Sequence, residues 1–214
     1  MKFRIALIFS LILSISFAQT NKEARALLEE VKAKTLSFKT QKITFDNSIE
    51  IPSADPAKAG TKRNMQGVIS LKGEAYRLEL NGMIYLNDGK SMYIIDPDIE
   101  EIDVTTTDDG EMPLSPTSIL SEFDKGYSLK LGDKKTVSGK KIQYVILKPT
   151  GASDISLVEI GVDMSTKTVY SYKMTGTNKV ITILTITDYK TDLNLPANTF
   201  VFNKADWPGY YINN

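Results

Sequence analysis

The stretch that decides the fold runs from Asn81 to Asp98 and reads NGMIYLNDGKSMYIIDPD. Two turn signals, Asn81-Gly82 and Asp88-Gly89, punctuate a run of mostly apolar residues. Both dipeptides favour two-residue type I′ hairpins, in which both central positions need positive φ. A turn at Asn81-Gly82 pairs Leu80 with Met83, Leu78 with Tyr85 and Tyr76 with Asn87. A turn at Asp88-Gly89 pairs Asn87 with Lys90, Tyr85 with Met92 and Met83 with Ile94. Residues paired directly share a sheet face. One face of this three-stranded meander therefore carries Tyr76, Leu78, Leu80, Met83, Tyr85, Met92 and Ile94. The other carries Arg77 and Glu79, then Ile84, Leu86, Tyr93 and Ile95. The first face is apolar and soft, and on a monomer a face of this size needs a cover or a ligand. Beyond Ile94 two registers stay open. A tight turn at Pro97-Asp98 puts Glu101 and Asp103 on the apolar face, whereas a bulge or longer loop puts Ile102 and Val104 there.

Two amphipathic segments are available as covers. TNKEARALLEEVKAKTLSF begins with a capping box, Thr20-x-x-Glu23, and places Ala24, Leu27, Leu28 and Val31 on one helical face. PLSPTSILSEF has Ser115 as N-cap, Pro116 at the first helical position, and Ile119, Leu120 and Phe123 on one face. Strand patterns occupy 42–51, 65–71, 76–80, 83–87, 91–95, 99–105, 127–131, 141–148, 155–162, 168–175 and 180–189, with a short one at 200–202. In the first of these Ile43, Phe45, Ile49 and Ile51 share a face, and Asn47 breaks the pattern. Many strands joined by Gly, Asn and Asp turns predict an antiparallel sheet or barrel. The helices either complete a packed core on the sheet or leave a cavity for an apolar ligand.

The chain opens with MKFRIALIFSLILSISFA. Lys2 and Arg4, an apolar run from Ile5 to Ile15, and the small residues Ser16 and Ala18 predict a secretory signal over 1–18. The remaining 19–214 are expected to form one domain. Lys and Arg number 26 against 26 Asp and Glu, and loss of Lys2 and Arg4 leaves two more acids than bases. No basic run marks a nucleic-acid face. The chain has no cysteine and no histidine. Disulfides, thiolate chemistry and cysteine-type zinc sites are therefore excluded, and so is the commonest general base. Ser115, Asp96, Asp98 and Glu100 cluster in loops, but a serine without a base is a cap and acidic turns are turns. The expectation is a non-enzyme without cofactor or metal. Trp207, Tyr210 and Tyr211 read first as a C-terminal anchor on the sheet and second as a membrane-interface contact.

The ordered set GVISLKGEAYRLEL, DGKSMYIIDPDIEEIDV, LSPTSILSEF and ITILTITDYKTDLNLPANTFVF, preceded by a signal and an amphipathic helix, resembles the periplasmic lipoprotein carriers of the LolA family. The resemblance spans nearly the whole mature chain, although no single motif is highly specific. It implies a mainly β (α+β) fold, an open antiparallel β-barrel with amphipathic helices as a lid over an apolar cavity. It further implies a monomeric periplasmic carrier whose cargo is the acyl chains of lipoproteins. Those would be received from an inner-membrane ABC-type lipoprotein-releasing complex and delivered to the outer membrane, with a receptor there left open. Tyr76 and Leu78 match the family's aromatic pair on the cavity wall. The match departs at the turn Lys72-Gly73-Glu74-Ala75, where the family's Arg-Pro pair, the lid latch, is missing. Lys72 is the nearest cation, and a lysine lacks the arginine's planar fork. A related envelope lipid-binding or lipid-sensing module with another cargo is the alternative.

Overall fold

The computed structural model describes residues 21–55, 57–106, 119–120 and 126–213. The expected signal, Thr20, Ser115 and Phe123 lie outside them. Residues 21–37 form helix α1. The strands are β1 (Gln41–Ile51), β2 (Thr61–Lys72), β3 (Ala75–Leu80), β4 (Met83–Asn87), β5 (Ser91–Asp96), β6 (Glu101–Thr106), β7 (Tyr127–Val137), β8 (Lys140–Pro149), β9 (Ile155–Asp163), β10 (Thr168–Gly176), β11 (Ile181–Thr191) and β12 (Tyr211–Asn213). They form one open 12-stranded sheet in the order β12-β6-β5-β4-β3-β2-β1-β11-β10-β9-β8-β7. Two consecutive antiparallel meanders, β1 to β6 and β7 to β11, thus meet along the β1–β11 seam. The short β12 adds parallel to β6.

The turns show how local chemistry sets the register. Asn81 (φ 51°) and Gly82 (φ 86°) both adopt positive φ, and Leu80↔Met83, Leu78↔Tyr85 and Tyr76↔Asn87 pair as expected. The next turn centres on Gly89-Lys90, one residue later than Asp88-Gly89. Asp88 Oδ1 accepts the amides of Lys90 and Ser91 at 2.9 Å each, and Asn87 Oδ1 accepts that of Gly89 at 2.7 Å. These side-chain bonds hold Asp88 opposite Ser91 and leave Gly89 to take the positive φ, 88°. Partners consequently move by two positions, to Asn87↔Met92 and Tyr85↔Ile94. A two-residue move preserves the faces, so the sequence assignment of each face stands. Past Ile94 the strand returns through four turn residues, and Ile94↔Asp103 and Met92↔Thr105 place Asp103 and Thr105 on the apolar face.

The two faces of the sheet carry two separate apolar clusters. The main core lies on the concave face and joins Ile43, Phe45, Ile69, Leu78, Val145 and Ile160 to Leu28 and Val31 of α1. On the convex face Leu86, Ile95 and Ile102 are buried outside that cluster. Here the chain after β11 returns as a strap. A 3-10 turn at Ala197–Phe200 lies against β3, the Phe202 ring stacks on Tyr93 at 4.2 Å, and β12 docks on β6. The short strand expected at 200–202 is therefore this turn and an extended tail. Pro196 precedes the turn with φ −53°, which presets its entry. The C-terminal segment is held on the sheet by the Phe202–Tyr93 stacking and by the pairing of Tyr211 and Ile212 with β6, while Trp207 packs edge-on against Tyr210 at 5.2 Å.

Candidate functional site

The concave face of β3, β4 and β5 brings together all seven residues that the register singled out. Tyr76, Leu78 and Met92 are buried, at 4–6% exposure, whereas Leu80, Met83, Tyr85 and Ile94 are half-buried. The face is thus graded. It is closed where Tyr76 and Leu78 join the main core, and partly open along Leu80, Met83, Tyr85 and Ile94. Leu80 and Tyr85 pack against the core from this open side. The Tyr76 hydroxyl lies 3.5 Å from Met92 Sδ, and burial raises its pKa above the ordinary phenol value. Asp103 and Thr105 end the apolar surface at β6.

The cover comes from α1. Ala24, Leu28 and Val31 are fully buried and Leu27 nearly so, all within the main core. The spacing i, i+4, i+7 delivers them to one stripe, while Glu29 and Glu30 face solvent. Ile119 and Leu120, both helical, are buried in the same core at 4% and 0% exposure. Six of the seven residues named as covers therefore pack with the concave sheet.

Polar bonds tie the end of α1 to the sheet, through residues that the sequence reading missed. Gln41 Nε2 donates to the Thr35 carbonyl at 3.3 Å, and the Tyr189 hydroxyl donates to Gln41 Oε1 at 2.5 Å. Burial pushes the Tyr189 phenol up to about 12, opposed by the Thr35 hydroxyl beside it. Thr40 Oγ1 donates to the Leu193 carbonyl, and the Phe38 ring meets Tyr189 edge-on at 6.1 Å. Nearer its middle, Glu30 pairs with Lys167 of the β9–β10 turn at 2.8 Å. Lys72, the nearest cation to the missing Arg-Pro position, stands exposed at the β2–β3 turn. Gln41 stands at the start of β1 between Thr40 and Lys42 and carries no local signal of this role, since its partner Tyr189 is 148 positions away.

Among the described residues no group of three acidic side chains is placed to hold a metal ion. Asp96 Oδ1 accepts the amide of Asp98 at 3.0 Å, an ordinary turn bond. No described helix is long and apolar enough to cross a membrane.

The described residues thus define one open 12-stranded sheet with one apolar face covered by a helix and the other strapped by the chain's own tail. No family model matches the chain, and no curated protein matches it. Solved structures do. An uncharacterised conserved protein from Thermus thermophilus superposes with a TM-score of 0.59 at 8% identity, over 89% of this chain and 98% of that one. LprF from Mycobacterium bovis superposes at 0.53 and 7%, over 83% and 97%. A LolA superfamily protein from Nitrosomonas europaea is also among the matches, at 0.40 and 12%, over 84% and 97%. The first two establish a shared fold. The overlay on the third is too loose to build on.

Proposed function

We propose that this protein is a carrier for the acyl chains of lipoproteins, working without catalysis between the inner and outer membranes of a periplasm. The carrying observation is the graded concave face: a buried apolar floor at Tyr76, Leu78 and Met92 continues into half-buried Leu80, Met83, Tyr85 and Ile94. Such a face is suited to a flexible apolar ligand, and methionine adapts to irregular contents. Each acyl methylene withdrawn from water contributes about 0.8 kcal/mol, so chains of ordinary length bind without any charged anchor. In this reading α1 and the segment containing Ile119 and Leu120 are the lid. Cargo enters by displacing their packing from the sheet, an inner-membrane ABC-type complex loads it, and a membrane or an outer-membrane receptor draws it out. The secretory signal expected over 1–18 and the resemblance to lipoprotein carriers support the location.

A photo-crosslinker tests the face. Placed at Leu78 or Tyr85 it is expected to capture acylated lipoprotein from an envelope fraction, and placed at Glu79, on the convex side, it is not. Equal capture on both sides removes the face assignment. Capture of free lipid alone, with no lipoprotein, moves the function to a lipid-binding or lipid-sensing module of the same fold.

A further inference from the structure

Asn47 interrupts an apolar strand face, and the structure gives the interruption a place. It follows Phe45 by two positions on β1 and pairs with Leu184 of β11 and Met65 of β2. Leu184 belongs to the main core, so the Asn47 side chain is on the concave face. It is 3% exposed. Its Oδ1 is fully buried and has no hydrogen-bond partner among the described residues. The other such atom among them, the Thr35 hydroxyl, lies beside the Tyr189 phenol. Asn47 sits in different company. On one side the Phe45 ring fills the space over Gly67, where an added Cβ would fall 2.4 Å from Cζ. On the other side Met65 and Ile49 are half-buried. The orphan acceptor thus sits on β1 between the closed core at Phe45 and the half-buried pair Met65 and Ile49.

A buried acceptor without a partner destabilises the empty protein, and an apolar residue of the same shape would remove that cost. We infer that Asn47 Oδ1 is a specificity contact that accepts a hydrogen bond from an N–H at the head of an acyl chain, such as an N-acyl amide. This deepens the carrier reading and rests on it. The surrounding apolar wall binds any chain. The amide oxygen distinguishes chains that carry a donor where the hydrocarbon ends.

The test compares two probes of equal size, N-methylhexadecanamide and methyl hexadecanoate, as competitors for a fluorescent acyl probe. The first carries an N–H, and the second has an ester oxygen in its place. The natural protein is expected to prefer the amide by about ten-fold, the strength of one ordinary hydrogen bond to a buried acceptor. Asn47→Leu is expected to bind both probes equally, with ester affinity retained and a melting temperature no lower than the natural protein's. Equal affinities in the natural protein overturn the inference and leave the carrier reading standing. So does a preference that survives in Asn47→Leu and Asn47→Ala. If both variants fail to fold, Asn47 is a structural residue and the inference falls. If the natural protein binds neither probe, it is the carrier reading that fails.

Discussion

Leu28 and Lys72 separate two ways of holding a helix on a sheet. Leu28 is fully buried in the main core, and truncating a large side chain there costs about 2–5 kcal/mol. Lys72 is exposed, and replacing such a group usually costs within about 0.5 kcal/mol. Urea unfolding of Leu28→Ala and Lys72→Ala should therefore differ several-fold in destabilisation. Transfer of cargo to liposomes should follow the same order, with Lys72→Ala changing it less than about two-fold. If Lys72→Ala abolishes transfer, lysine holds the latch after all. Tyr189 gives a pH signature. Its folded pKa lies near 12 against 10 for the free phenol, so the folded state retains a proton that the unfolded state loses. Its stabilisation is complete below pH 10 and disappears as pH rises toward 12, with a slope of up to about 1.4 kcal/mol per pH unit. Burial of Tyr76 acts in the same direction. Ultraviolet titration should show a late phenol near 12 that Tyr189→Phe removes, and the stability of that variant should fall less steeply over the same range.

At the scale of elements, the β1–β2 pair depends on the absence of a side chain at Gly67. The Phe45 ring occupies the position that a Cβ would take. Gly67→Ala is expected to destabilise by about 1–3 kcal/mol through overpacking, read as a lower midpoint in denaturant. An unchanged midpoint would show that the ring moves freely and that the core is looser than its burial implies. The Gly67 strand illustrates what sequence reveals. The strand pattern at 65–71 found most of β2 but missed its polar start at Thr61–Asn64, which is held by pairing with β1, whereas Asn81-Gly82 fixed the β3–β4 register because it rests on contacts between near neighbours. Asp88-Gly89 misplaced its turn by one residue, because the side chains of Asn87 and Asp88 captured amides that a bare turn dipeptide leaves free. The seven concave residues survived that error by parity. The strand β12 was not legible. It is three residues long and is created by its partner β6, not by any pattern of its own. Asn47 was legible as an exception but not as a buried group, since burial depends on β11.

For the whole molecule, two clusters on opposite faces of one sheet should respond independently. From Ala197 onward the strap packs on β3 and on Tyr93 of the convex face. Phe202→Ala removes the stacking on Tyr93 at 4.2 Å and is expected to lower stability by roughly 1–3 kcal/mol while leaving acyl-probe affinity unchanged. Ligand titration and melting of the same sample distinguish this from a coupled fold, in which affinity would fall with stability. The cover behaves differently. Its cohesion is chiefly apolar, and the exposed ion pair Glu30–Lys167 is expected to add at most about 1 kcal/mol.

The seam between the two meanders carries a consequence for how quickly the chain reaches this state. Within each meander a strand pairs with its sequence neighbour, so those contacts form by closing short loops. The seam pairs Gln41 with Thr191 and Glu50 with Ile181, and it can form only after nearly the whole chain has been drawn together. The entropic cost of such closure is set before any of its bonds repay it, and long-range pairing is the slow part of β folding. Refolding should therefore show early hairpin signals from both halves, then a slower step in which protection of β1 and β11 amides appears together. Until that step α1 has no continuous floor to lie on, and the apolar faces of both halves are open to aggregation.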